Sequence, residues 1–182
     1  MGTLIANGGL TTGVKFTTPY VEIVEEVGRC IAAHGASVRE AYRLTHQVLD
    51  VSGDNFVLKE LRRFKLFGLK STEKFIPPEY FSYDAPSRLR LLAGLIDGDG
   101  WVEKFGALRY ATSSPRLAAD VVRLVRSIGG IATTSVKHPK YLSHGEKCDG
   151  LPSLSLIHIC ASVVRMWREA GIPCAQVADG DF

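Results

Sequence analysis

A chain of 182 residues with 46% apolar and 23% charged side chains has the length and composition for an ample globular core. The net charge of +3 permits a nucleic-acid partner without pointing to one. No apolar run is long enough to span a bilayer, and four cysteines without CxxC spacing and no secretory leader set the expectation of a reduced cytoplasmic setting with no membrane partner.

Met1 to Asn7 reads as the last turns of a helix whose start is missing. Leu10 to Thr18 predicts a hairpin, punctuated by Gly8, Gly9 and Gly13. Val21, Val24, Val27, Cys30 and Ile31 form the apolar stripe of a helix that Gly35 ends, with Glu22, Glu25, Glu26 and Arg29 opposite. Val38 to Val48 predicts a strand pair, with Tyr42 and Leu44 on one face and Arg43 and Thr45 on the other. Asp54 or Asn55 is placed to cap a helix reaching about Leu69. Phe75-Ile76-Pro77-Pro78 opens an extended linker to Pro86, after which Ser87 caps the next helix. Trp101-Val102 and Leu108 to Thr112 predict a second hairpin. Pro115 to Ile128 is a second amphipathic helix, stopped by Gly129-Gly130. Ile131 to Val136 and Leu154 to Ile159 are strands, and Ser162 to Ala170 a last helix. The order α-β-β-α-β-β-α is thus stated twice.

The sharpest signal is Leu92-Ala93-Gly94-Leu95-Ile96-Asp97-Gly98-Asp99-Gly100. Gly94 and Gly98 share a helix face at i,i+4 spacing, so another backbone can approach closely there. Asp99 sits at the helix C-terminus, where the dipole disfavours an anion, and a carboxylate so placed calls for a cationic partner such as a metal. Met1 to Leu10 aligns with Ala93 to Val102 without a gap. Gly2 and Ala6 preserve the small face, while Asn7 stands opposite Asp99. Beyond the motif Lys15 pairs with Arg109 and Gly35 with Gly129, the offset growing from 92 to 94 residues. Two such long units describe a pseudo-symmetric duplication, not an array.

The Leu92–Gly100 motif resembles the signature of the LAGLIDADG homing endonucleases, departing from it only at Gly98. Phe75 to Tyr80, followed by Arg88-Leu-Arg-Leu-Leu-Ala-Gly-Leu, resembles the intein-borne branch of that family. The resemblance implies an α+β fold of two αββαββα halves, residues 1–76 and 87–182 joined by the linker 77–86. The motif helices would pack along a pseudo-two-fold axis, and the sheets would form a saddle on double-stranded DNA, within a monomer. It implies Mg²⁺-dependent phosphodiester hydrolysis, with the metal at Asp99, Asn7 and Gly98. An Asn supplies one neutral oxygen where Asp supplies a charge, so metal binding at Asn7 weakens and the chain would cut both strands, nick one or only bind. Family members place a lysine near the centre, and Lys137 and Lys147 are the candidates, against a reading as solvated surface lysines.

Strand positions nominate Lys15, Arg39, Arg43, Lys104, Arg109, Lys137 and Lys140 as DNA-facing, the Lys15/Arg109 pair foremost because a pseudo-symmetric binder places cations symmetrically. Lys59, Arg62, Arg63 and Lys65 read as the solvated face of their helix. His144, Cys148, His158 and Cys160 match no standard zinc spacing. Met1 and the terminal Asp179 to Phe182 lack the residues splicing needs, so the chain as given is not expected to splice. The competing classes are a non-catalytic DNA-binding module and a structural remnant that neither binds nor cuts. Salt-dependent DNA affinity separates the remnant from the other two.

Overall fold

The two glycine-bearing stretches form helices that pack directly on each other: α1 (Gly2–Asn7) and α4 (Ala85–Asp99). They pack closely in this computed structural model, which describes residues 1–50, 55–103, 108–138, 140–143, 146–149 and 153–159. A methyl group added at Gly2 would lie 2.8 Å from the Leu95 nitrogen and 2.9 Å from the Gly94 carbonyl carbon. One added at Gly98 would collide with the Ala6 methyl, and one at Gly94 would lie 3.0 Å from the Thr3 nitrogen. Small residues at these points are therefore a steric requirement of the interface. Leu4, Ile5, Leu92, Leu95 and Ile96 are buried around them, each contributing about 1.5–3 kcal/mol.

Each motif helix leads into a four-stranded antiparallel sheet. The first is built from β1 (Gly8–Gly9), β2 (Lys15–Thr17), β3 (Ala36–Tyr42) and β4 (Thr45–Asp50), in the order β1-β2-β4-β3. The second contains β5 (Gly100–Val102), β6 (Leu108–Thr112), β7 (Thr133–Lys137) and, beyond a further hairpin, β10 (Ser153–Ile159), in the order β5-β6-β10-β7. The order is the same in both, and so is the register. Gly8 pairs with Phe16 as Gly100 pairs with Tyr110, and Gly9 with Lys15 as Trp101 with Arg109. Phe16, Val48, Leu108 and Tyr110 are buried on the inner faces. Helices α2 (Val21–Ala32) and α5 (Pro115–Ser127) follow the first hairpins. Both are succeeded by a left-handed glycine, Gly35 at φ +74° and Gly129 at φ +82°, as the duplication requires.

Several expectations change. The helix α3 (Phe56–Arg63) is capped by Asn55, whose Oδ1 accepts from the Leu58 N–H at 3.0 Å, but it stops at Arg63, with Lys65 in the left-handed region. The predicted linker is not extended. It carries a 3₁₀ turn at Pro78–Ser82 and is preceded by another at Ser71–Glu73, with Phe75 and Ile76 buried. Pro86 already belongs to α4, whose cap is Asp84 and not Ser87: Asp84 Oδ1 accepts from the Ser87 N–H at 2.9 Å. The second half gains an unforeseen hairpin, β8 (Lys140–Ser143) with β9 (Glu146–Asp149). A bulge between Glu40 and Tyr42 makes Tyr42 the pairing partner of Thr45, so these two share a face, contrary to the alternation predicted for them. The predicted last helix, Ser162 to Ala170, lies outside the described residues, as does Lys104.

Candidate active site

The paired motif helices bring residue 7 and the end of α4 together. The Asn7 Nδ2 donates to the Gly98 carbonyl at 2.9 Å, tying the last turn of α1 to the turn that carries Asp99. Both Asn7 and Gly98, expected beside Asp99 at a metal, are thus brought to one place, but they bond to each other there.

Asp99 lines an open cleft of about 190 Å³ with Ala6, Ser71, Lys74, Thr112 and Ser113. Burial pushes its carboxyl above the usual carboxylate range, and the nearby Lys74 charge opposes that push. Lys74 is itself buried. Its ammonium donates to the carbonyls of Ala6 (2.7 Å) and Gly8 (2.8 Å), at the negative end of α1. Burial holds its pKa below the usual lysine value, with Asp99 acting in the other direction. The fully buried Tyr110 lies close by, its phenol pushed up first by burial and then by the Asp99 charge.

The backbone around Lys74 is fastened to the second half. The Ser114 hydroxyl donates to the Lys74 carbonyl at 2.6 Å and accepts from the Leu117 N–H as the cap of α5. The Ile76 N–H donates to Asp120 Oδ2 at 3.0 Å, and the Arg116 guanidinium lies 3.8 Å from the centre of the Phe75 ring. The segment is therefore anchored on one half while its ammonium reaches the motif helix of the other. Sequence reasoning missed Lys74 and favoured Lys137 and Lys147. Lys137 is exposed on β7 and does not line the cleft, and Lys147 lies on β9, its side chain outside the described set. The available signal was a lysine opening the apolar run Phe75-Ile76-Pro77.

The donor chemistry suits a hard divalent cation. Asp99 offers carboxylate oxygens in a cleft open to water, and no cluster of three or more His, Cys, Asp or Glu side chains occurs among the described residues. Mg²⁺ and its relatives take one or two carboxylates and complete their shells with water and phosphate, whereas zinc sites want nitrogen or sulfur donors.

The outer sheet faces carry the predicted cations unequally. On the first sheet Lys15 pairs with Gln47 and Gln47 with Arg39, a polar row running across three strands. The equivalent second row is Trp101, Arg109, Ile157 and Thr133. Arg109 there is engaged by Glu103 in an ion pair at 2.5 Å. Arg43 lies exposed in the β3–β4 turn, and Lys137 and Lys140 are exposed on the second half.

Residues 87–157 match the family model described as a LAGLIDADG-like domain. The chain carries a LAGLIDADG-like domain. Its fold is that of solved LAGLIDADG proteins. A homing endonuclease I-DmoI variant in complex with its target DNA and Mg superposes with a TM-score of 0.58 at 11% identity, covering 94% of this chain and 93% of that one. The N-terminal LAGLIDADG domain of DUF199/WhiA gives a TM-score of 0.53 at 11% identity, covering 98% and 82%. By sequence, the chain is 44% identical over 64 residues to the replicative DNA helicase DnaB of Mycobacterium intracellulare, 35% of this chain and 11% of that protein. It is 30% identical over 141 residues to RecA of Mycobacterium bovis, 71% of this chain and 18% of that protein. The chain thus spans less than a fifth of the length of these curated relatives.

Proposed function

We propose that this chain is a site-specific DNA endonuclease of the homing type, hydrolysing a phosphodiester in a long duplex target with the help of a divalent cation, Mg²⁺ in the cell. The observation that carries this reading is that the half-buried Asp99 and the buried Lys74 line one cleft at the junction of the motif helices, close enough for each charge to act on the other. A bound cation lowers the pKa of a coordinated water and offsets charge on the phosphate. Asp99 would hold that cation, with water and phosphate completing its shell. Lys74, fixed by the Ala6 and Gly8 carbonyls, sets an ammonium beside the reacting phosphate, and burial, which lowers its pKa, eases release of a proton from Nζ. The two sheets lie along the duplex as a saddle, with Lys15, Arg39, Arg43, Arg109, Lys137 and Lys140 toward the DNA, and one chain supplies both halves of the pseudo-two-fold.

We also propose an intein-encoded origin. The same chain aligns with small fractions of two proteins of different name, a replicative helicase and RecA, and a segment shared in that manner behaves as an inserted element. A second reading, a DNA-binding module without catalysis, is favoured by Asn7, which removes one of the two motif carboxylates.

The test is conversion of a supercoiled plasmid library in Mg²⁺ by the chain and by Asp99→Ala and Lys74→Met. Cleavage that falls by about a thousandfold in Asp99→Ala, or roughly 4 kcal/mol of barrier, supports the endonuclease. DNA binding with no cleavage by any of the three supports the second reading.

A further inference from the structure

The β3–β4 turn holds two consecutive non-glycine residues in left-handed backbone, Arg43 at φ +29° and Leu44 at φ +53°. Two-residue hairpin turns of this kind ordinarily take Asn-Gly, because side chains resist that region. Immediately before it, Ala41 is the extra residue of a bulge, Glu40 pairing with His46 but Tyr42 with Thr45. Without that bulge Tyr42 would fall in step with Val38 on the inner face. With it, Tyr42 joins Thr45 and Thr17 on the outer face, next to the row Lys15, Gln47 and Arg39.

The result is an aromatic ring presented to solvent. Tyr42 is 69% exposed and Leu44 51%, and neither contributes to the core. The Arg43 guanidinium stands 5.7 Å from the centre of the Tyr42 ring. The turn is held in shape from both sides: the Leu44 N–H donates to Glu40 Oε1 at 3.3 Å, and the Leu44 carbonyl accepts from the Thr18 N–H at 3.0 Å. Neither the strained turn nor the bulge adds Tyr42 or Leu44 to the core, which points to a contact outside the chain. The neighbouring cations Lys15 and Arg39 say that the contact is with a polyanion.

We propose that the Tyr42–Arg43 tip is a clamp on duplex DNA at the edge of the first sheet, Arg43 meeting a phosphate and the Tyr42 ring lying against the adjoining sugar and base edge. This rests on the DNA-binding reading above, and the experiment separates the two. Binding of a random-sequence duplex pool is followed by fluorescence anisotropy over a salt series, with melting temperatures measured alongside. Tyr42→Ala is expected to weaken binding about tenfold with its melting temperature unmoved. Arg43→Gln is expected to reduce the slope of log affinity against log salt by about one. The double change Arg43→Asn with Leu44→Gly is expected to raise the melting temperature while weakening binding, the opposite signs marking strain kept for a contact. Single variants that bind with the parent's affinity and slope would overturn the clamp and leave DNA binding intact. A parent that shows no salt-dependent binding would remove both.

Discussion

The two halves share a register and differ at both ends of it. At the helix junction the second half presents a half-buried carboxylate, Asp99, and the first an amide, Asn7, already bonded to Gly98. At the far edge the first half ends in a tight strained turn, and the second inserts the β8–β9 hairpin between the matching strands. Interior positions are conserved between halves because the sheets and the helix junction are one packing problem solved twice. Phe16 stands where Tyr110 does, and the glycine after each amphipathic helix keeps its left-handed backbone. The tips answer to a partner instead of a core, and there the halves are free to diverge. Lys74 belongs to neither pattern: it is fastened to α5 of the second half and satisfies the end of α1 in the first.

Breaking the shared interior is expected to have the largest effect on stability. Gly98→Val drives a branched side chain into Ala6 and is expected to cost about 3 kcal/mol or abolish folding. The check is chemical denaturation compared with Ala33→Val on the exposed end of α2, which should change little. Lys74→Met comes next. It leaves the Ala6 and Gly8 carbonyls without their donor and Asp99 without its nearby cation, an expected loss of about 2 kcal/mol at neutral pH by the same measurement.

The asymmetry at the junction sharpens through pH. Burial raises the Asp99 carboxyl above its ordinary 3.8, so the folded state holds that proton more tightly than the unfolded state. Its contribution is therefore fully present below pH 3.8 and is lost as pH rises through the higher folded value. Asp99→Asn removes that decline, and its melting temperature is expected to gain on the parent's as pH climbs from 3.5 to 7. Equal differences at all pH values would contradict a carboxyl whose pKa partial burial has raised. The smallest effect tests the symmetry itself. Gly35→Ala and Gly129→Ala, at matched positions with positive φ, should each cost about 1 kcal/mol, and similarly to one another.

What the sequence made legible was local or repeated. The small faces Gly2/Ala6 and Gly94/Gly98 follow from helical spacing, and the second copy makes the interface readable before any coordinates. The first hairpin of each half and both amphipathic helices follow from periodicity and from Gly35 and Gly129, whereas the β8–β9 hairpin does not. Lys74 was not legible, because its acceptor Ala6 lies 68 residues away and only the folded junction unites them. The facing of Tyr42 was missed because one inserted residue breaks the two-residue period without leaving a glycine to mark it. Pro77-Pro78 reads as a linker in one dimension, whereas Phe75 and Ile76 beside it are core.

The central claim is that cutting rests on Asp99 and is limited by Asn7. The most direct measurement compares the parent, Asn7→Asp and Asp99→Ala on a plasmid library in Mg²⁺, with melting temperatures taken in EDTA and in Ca²⁺. Asn7→Asp loses the bond to Gly98 and sets a second carboxylate beside Asp99. It is therefore expected to melt lower than the parent in EDTA, to recover in Ca²⁺ and to cut both strands more efficiently, while Asp99→Ala does not cut. Cleavage by Asp99→Ala at the parent's rate, or an Asn7→Asp protein indifferent to Ca²⁺, would contradict the account.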